Sequence, residues 1–259
     1  ECGRVVIEEK LIGVEFSLLS FVSGTQVIDM PAVQDHKRAY EGDTGPNTGG
    51  MGTYSDSNHS LPFLNASDLE AASLLNKQTA KALLDECGSP FKGILYGGFI
   101  ATKKGIQLIE YNARFGDPEA LNILPLLESD FVDICQGIIN EELSEDMVTF
   151  ANKATVCKYI TPESYPESKD NKGEAVTLPD VGDNARIFLG DVSESDGTLT
   201  LGGSRTAGIV GIGDSIAEAE AIAQKLCKQV EGPVRFRNDI GTQEVIDQRI
   251  RLIEEVRKG

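Results

Sequence analysis

Paired cysteines are missing from this sequence. Cys2, Cys87, Cys135, Cys157 and Cys227 are scattered, odd in number and without a C-x-x-C pair. That spacing argues against a disulfide framework or a zinc site and makes reduced thiols in a cytoplasmic setting the expectation. No apolar run approaches the ~18 residues of a membrane span, and no signal peptide opens the chain. His36 and His59 are the only histidines, and neither is paired with a nucleophile, so a Ser-His-Asp triad has no support. His36 is expected as a loop or hydrogen-bonding residue. Basic charge is scarce as well: Lys+Arg 24 against Asp+Glu 41 gives a formal charge of −17. Net repulsion of that size argues against nucleic acid and membranes as partners, but leaves room for a local basic site for a small phosphorylated ligand. Neither G-x-x-x-x-G-K-[ST] nor G-x-G-x-x-G occurs, so the P-loop and the dinucleotide fingerprint are excluded.

What is present is an ordinary globular balance over 259 residues, 40% apolar and 25% charged, a length comfortable for two domains. The chain opens Glu1-Cys2-Gly3-Arg4 without an initiator methionine, the opening expected of part of a longer polypeptide. Alternation predicts strands over 4–9, 14–22 and 25–33, with turns at 11–13 and 23–24. A polar, glycine-rich loop is expected over 34–60. Ser67-Asp68-Leu69-Glu70 reads as a capping box that opens a helix to Cys87, stopped by Gly88. Strands over 93–102 and 106–111 form a hairpin around Lys103-Lys104-Gly105, and helices are expected after Pro118 and over 130–139. Past an acidic connector at 141–146 a second unit begins, with strands over 154–160, 185–189, 198–201 and 206–212 and helices over 215–230 and 243–257. The class is α+β or α/β, divided into units 1–145 and 146–259.

Two constellations carry chemistry. Glu110 and Asn112 are two apart on a strand, so both side chains leave the same face, and Arg114 follows where the strand ends. A carboxylate beside an amide oxygen suits Mg²⁺, and an arginine alongside suits the phosphates that share such a metal. The plainer reading of three residues so spaced is a solvated strand edge. The second constellation is Gln34-Asp35-His36-Lys37-Arg38 followed by Asp43-Thr44-Gly45-Pro46-Asn47-Thr48-Gly49-Gly50-Met51-Gly52. Its glycines let backbone approach a ligand and present N–H groups to an anion. Arg205, in Gly203-Ser204-Arg205, suits either a phosphate or a surface role.

Taken in order, Glu8-Glu9-Lys10-Leu11-x-Gly13-x-Glu15-x-Ser17, the block 34–54, the run 110–119 and Gly203-Ser204-Arg205 resemble the phosphoribosylamine–glycine ligase (glycinamide ribonucleotide synthetase) family of ATP-grasp enzymes in purine biosynthesis. The resemblance implies the C-terminal lobe of an ATP-grasp domain followed by a small α/β C-terminal domain. It implies ATP and Mg²⁺ (or Mn²⁺) as cofactors, and glycine and 5-phosphoribosylamine as substrates. Carried over by motif, Glu8, Glu9, Lys10 and Leu11 would hold adenine and Glu15 the ribose hydroxyls. Glu110 and Asn112 would bind metal, and Arg114 would clamp phosphate. Asp35, Lys37 and Arg38 would act at the reacting centre, with Asn47, Thr48, Gly49, Gly50 and Arg205 on substrate. Many ATP-grasp enzymes carry a further metal carboxylate on the preceding strand, where this sequence reads Tyr96-Gly97-Gly98-Phe99. The resemblance also implies that the N-terminal domain and first ATP-grasp lobe lie before position 1, as an N-terminal portion of the same enzyme. This chain would then hold half a site and show little activity alone. The alternatives are a non-catalytic nucleotide-binding module, or an ATP-grasp ligase with another substrate.

Overall fold

The computed structural model describes Gly3 and residues 5–258. The calls on Cys2 and Arg4 lie outside the described residues. Residues 5–12 form no strand, although one is expected there: Val5, Val6 and Ile7 stand 84%, 85% and 91% exposed. Their β-branching records only a fit to a pleated surface, and no strand among the described residues pairs with them.

The first sheet is antiparallel with order β2-β1-β7-β8. β1 (Gly13–Ser23) and β2 (Gln26–Asp29) form a tight hairpin through Gly24, whose φ of 64° suits a residue without a side chain. Where a loop is expected over 34–60, the chain lays down four short strands: β3 (Gln34–Asp35), β4 (Arg38–Tyr40), β5 (Thr44–Asn47) and β6 (Gly52–Ser55). α1 (Ala66–Cys87) is capped by Asn65 rather than by the Ser67 box. The Asp68 N–H donates to Asn65 Oδ1 at 3.0 Å, and the Asn65 N–H donates to Asp68 Oδ2 at 2.9 Å. Asparagine serves that position as well as serine, so the helix begins earlier than expected. Gly88 closes it in the left-handed conformation. β7 (Lys92–Thr102) and β8 (Gly105–Asn112) make the expected hairpin. α2 (Glu119–Ile123) and α3 (Phe131–Asn140) follow, the latter N-capped by Asp130.

The later segment supplies β9 (Ala154–Pro162), β10 (Ala175–Val176), β11 (Ala185–Leu189), β12 (Val192–Ser195), β13 (Thr198–Leu201), β14 (Ala207–Gly213), α4 (Ile216–Cys227), β15 (Val234–Arg235) and α5 (Gln243–Lys258). β10, β12 and β15 were not expected, β10 falling where a long loop is expected over 161–183. The second sheet runs β11-β14-β9-β6-β3, so strands from both sides of residue 145 share one sheet.

β1 explains the layering. Its even-numbered Val14, Phe16 and Leu18 enter a core with Ala72 of α1 and Ile246 and Ile253 of α5, while Leu19 and Phe21 enter a second core with Ile134 and Ile138 of α3. That is the alternation of a strand covered on both faces. α3 covers only the far end of the odd face and leaves the end bearing Glu15 and Ser17 clear of it. The two sheets are joined where Ser17 and Val33 exchange backbone hydrogen bonds of 2.8 and 3.0 Å. This junction delivers Asp35 and Lys37 beside Glu15.

Candidate active site

Register builds the site. In the β1–β7–β8 ladder Ser17 pairs with Gly98 and Gly98 with Glu110; in the next row Leu19 pairs with Tyr96 and Tyr96 with Asn112. β8 is irregular just before this point, because Phe99 pairs with Leu108 and leaves Ile109 as an extra residue. Such a bulge re-aims the side chains that follow it. Leu108 and Ile109 are 39% and 40% exposed and, with Glu8, Glu9, Leu11, Glu15 and Ile100, line a cleft of about 340 Å³. Lys10 lies on the same exposed segment.

Glu110, Asn112 and Arg114 stand in line as expected. Asn112 Nδ2 donates to Glu110 Oε1 at 3.2 Å and Arg114 Nη2 to Asn112 Oδ1 at 3.4 Å. These hard oxygen donors fit a divalent cation. No group of three or more His, Cys, Asp or Glu side chains among the described residues could hold a metal. Two protein oxygens suit Mg²⁺, which keeps several positions for water and phosphate. Gly98 occupies the position opposite Glu110, where a further carboxylate would have to stand.

The same residues wall a cavity of about 110 Å³ together with Asp35, Lys37 and Gly49. Lys37 Nζ lies 3.4 Å from Glu15 Oε2. Burial acts to lower the Lys37 pKa, but Glu15, and Asp35 behind it, outweigh it and raise it, so the ammonium stays charged. Burial, and then the Glu119 carboxylate, push Asp35 well above the usual carboxylate range against the pull of Lys37. Asp35 Oδ1 is sealed from solvent and has no hydrogen-bond partner among the described residues.

Sequence reasoning gave no role to the residues that complete the wall. Buried Glu119 accepts from Tyr96 Oη at 2.8 Å and from Ser17 Oγ at 3.2 Å, and those two hydroxyls lie 2.7 Å apart. Burial and the Glu119 charge raise the Tyr96 pKa, which keeps its phenol protonated. Ser17 is a polar residue between the apolar Phe16 and Leu18 and Glu119 an acid opening a helix. Those were the available signals, and they became meaningful only with the register.

Arg205 is brought to the glycine loop. Its Nη1 donates to the carbonyls of Gly49 at 2.9 Å and Gly50 at 3.1 Å, its Nη2 donates to Asp117 Oδ2 at 3.0 Å, and its guanidinium lies 4.4 Å from the Tyr159 ring centroid. Thr48 closes the loop onto Lys37, its N–H and hydroxyl both donating to the Lys37 carbonyl at 2.7 and 2.9 Å. Arg38 and Asn47 pair across the β4–β5 hairpin and border, with Lys37 and Arg249, a neighbouring cleft of about 380 Å³. Buried Arg237 anchors that hairpin by donating to the Arg38 carbonyl at 3.0 Å and to Asp43 Oδ1 at 2.9 Å. His36 is fully enclosed rather than a hydrogen-bonding loop residue. Neither ring nitrogen has a partner among the described residues, and burial, then the Arg237 charge, lowers its pKa to about 3. It is a neutral packing residue against Tyr54.

The chain matches two family models in succession: phosphoribosylglycinamide synthetase, ATP-grasp (A) domain, over residues 2–120, and the C domain of the same synthetase over residues 155–243. It is 49% identical over 257 residues to a phosphoribosylamine–glycine ligase of Methanosarcina barkeri and 47% identical over 259 residues to that of Methanocaldococcus jannaschii. Each match takes in 99% of this chain but only 59% and 58% of the relatives' length. Among solved structures it superposes on phosphoribosylamine–glycine ligase of Thermotoga maritima with a TM-score of 0.77 and 31% identity, over 90% of this chain and 56% of that one. The biotin carboxylase domain of Hydrogenobacter thermophilus 2-oxoglutarate carboxylase, in complex with MgADP, ADP and bicarbonate, shares the fold at a TM-score of 0.62 and 15% identity, over 93% of this chain and 49% of that one.

Proposed function

This chain belongs to the phosphoribosylglycinamide synthetase family, and we propose that it carries one side of the active site of an ATP-dependent ligase that joins glycine to 5-phosphoribosylamine in purine biosynthesis. The observation that carries the reading is the convergence of Lys37, Glu110, Asn112 and Arg114 on one small cavity beside the 340 Å³ cleft. Bringing a carboxylate against a triphosphate sets anion against anion, so cations must neutralise the approach.

In this reading adenine lies against 8–11 and the bulged Leu108 and Ile109, and Glu15 takes the ribose hydroxyls. Glu110 and Asn112 would hold Mg²⁺ or Mn²⁺, which when bound offsets phosphate charge. Arg114 and Lys37 face the γ-phosphate. The glycine carboxylate attacks phosphorus and ADP leaves, giving an acyl phosphate. The amine of phosphoribosylamine then attacks the acyl carbon, phosphate leaves, and an amide bond forms. Asp35 lies beside this centre, and residues 47–50, held from behind by Arg205, form the wall facing phosphoribosylamine. Because the donors of Arg205 are engaged in that wall, Arg38 and Arg249 in the 380 Å³ cleft are the better cations for the 5-phosphate.

ATP-grasp catalysis closes a nucleotide between two lobes. With this chain spanning under three fifths of its relatives, we infer that an N-terminal portion supplies the facing lobe and that the chain alone turns over little. We also infer that residues 1–145 and 146–259 serve as the ATP-grasp lobe and the C-terminal domain. No helix among the described residues is long and apolar enough to cross a membrane. Cys87, Cys135, Cys157 and Cys227 are free thiols, which fits a cytoplasmic setting. The test is ADP release by the gene's full-length product. Release that requires both glycine and phosphoribosylamine and is abolished by Glu110→Ala supports the reading. No release from folded protein would leave a nucleotide-binding module instead.

A further inference from the structure

The β4–β5 hairpin is a two-stranded sheet of its own, joined by its strands to no other sheet among the described residues. Such a ribbon is marginal by itself in water. Its turn is strained as well. Gly42, Asp43 and Gly45 have φ of 66°, 53° and 80°, and Asp43 is the non-glycine among them. A residue with a side chain stays in the left-handed region only where its surroundings hold it there. Yet this arm begins at Arg38 and ends at Asn47, both on the 380 Å³ cleft.

What holds the arm comes from the far end of the chain. Arg237, 1% exposed, donates from Nη1 to the Arg38 carbonyl at 3.0 Å and to Asp43 Oδ1 at 2.9 Å. Asp239 fixes the other side of that guanidinium, accepting from Nε at 2.9 Å and from Nη2 at 2.6 Å. The Gly42 N–H donates to the same carboxylate at 3.0 Å. Asn238 donates its N–H and Nδ2 to Glu41 Oε1 at 3.1 and 2.7 Å. Arg235 donates to the Ala39 carbonyl at 2.8 Å, with its guanidinium 4.6 Å from the Tyr40 ring centroid. Each residue from 38 to 43 is thereby gripped by a residue of 235–239.

Resting on the ligase reading above, we propose that residues 235–239 are a clasp that pre-orders the substrate arm, with Arg237 as its central positioning residue. Arg237 is buried and does not line the cleft. It acts through the Arg38 carbonyl and through Asp43, which Arg249 also binds. The two cations of the cleft, Arg38 and Arg249, are thus tied to one fixed turn. A phosphate ester meets guanidiniums already in place instead of a loop that must be ordered as it binds.

The consequence is kinetic. An arm ordered only a fraction of the time weakens apparent affinity by that fraction and leaves the saturated complex unchanged. Arg237→Lys keeps the charge but loses the fork that spans Arg38, Asp43 and Asp239 at once. With the arm then ordered about one time in ten, the KM for phosphoribosylamine rises about tenfold while kcat and the KM for ATP hold. A merely structural arginine would instead lower kcat through the folded fraction and leave KM alone.

The experiment pairs steady-state kinetics of the gene's full-length product with limited trypsin digestion, since Lys37 and Arg38 are cleavage sites at the root of the arm. Arg237→Lys should show the KM rise and faster cleavage after Lys37 or Arg38, at a temperature where circular dichroism finds both proteins folded. Should Arg237→Lys fail to fold, Asn238→Ala, at an exposed position of the same segment, is read by the same two measurements. A KM rise of about threefold with faster cleavage is expected of it. Unchanged cleavage in a folded variant overturns the clasp, and so does a fall in kcat at unchanged KM for phosphoribosylamine. Faster cleavage where wild type shows no turnover keeps the clasp and removes the ligase reading.

Discussion

Gly98 stands directly across the sheet from Glu110, so the carboxylate has a neighbour without a side chain on the strand before it. A Cβ at Gly98 would meet nothing closer than the Glu110 carbonyl at 3.5 Å, whereas a Cβ at adjacent Gly97 would press on the buried Phe99 ring, 2.7 Å from its Cζ. The two glycines thus have different reasons to be there. Gly98→Val should fold normally but fill the row between Ser17 and Glu110, weakening nucleotide binding by about tenfold or more, or roughly 1.4 kcal/mol. Gly97→Ala should leave affinity alone and cost about 1–3 kcal/mol of stability through overpacking. Urea denaturation and nucleotide titration on both variants check the contrast. Equal effects would remove it.

Arg205 holds two loop carbonyls and Asp117 and lies over Tyr159. Arg205→Lys keeps the charge but loses the planar fork. It should therefore behave like Arg205→Ala, with a stability loss of about 1.5–3 kcal/mol, the scale of hydrogen bonds to a charged group. A variant that kept wild-type stability and raised only the KM for phosphoribosylamine would instead make Arg205 a direct phosphate ligand.

Acid should loosen the β4–β5 hairpin. Burial acts to raise the Asp43 pKa, but the hydrogen bond from Arg249, followed by the Arg249 charge and then the contact with Arg237, outweighs it and holds the group at about 2. The folded pKa lies below the unfolded value of ~3.9. The stabilisation is therefore present above pH ~4 and is lost as pH falls through ~2. With Asp43 partly exposed, it amounts to about 1–2 kcal/mol after screening. Asp43→Asn should be less stable at neutral pH, because it removes the charge that pairs with Arg249 and one of the two carboxylates on buried Arg237, yet show a shallower decline in Tm between pH 4 and pH 2. An unchanged acid slope would contradict the assignment.

The β7–β8 hairpin and helices α1, α3, α4 and α5 were legible in the sequence because capping residues, Gly88, Lys103-Lys104-Gly105 and apolar spacing are local signals. β3 to β6 were not. They are two to four residues long, lie among glycines, and become strands only through partners distant from any local pattern or through each other: β6 pairs with β9, β3 with β6, and β4 with β5. The same principle acts in reverse at Val5, Val6 and Ile7, which have the propensity and no strand beside them among the described residues. In the candidate site, Glu110, Asn112 and Arg114 could be grouped from their spacing alone. Asp35 and Lys37 stood out through the acid, bases and glycines of their block, but a place at the reacting centre came only through the family resemblance. Tyr96, Ser17 and Glu119 depend on which residue faces which across three strands, and no local pattern encodes that register.

The central claim is that the glycine carboxylate attacks the γ-phosphate in the cavity shared by Lys37, Glu110, Asn112 and Arg114. Glycine labelled with ¹⁸O in its carboxylate makes the test direct, because an acyl phosphate must pass one carboxylate oxygen to the departing phosphate. Mass spectrometry of the phosphate released by the full-length product should find one ¹⁸O per phosphate, with phosphate and label both lost in Glu110→Ala. Turnover that releases unlabelled phosphate, the lost carboxylate oxygen going to water instead, would contradict the account.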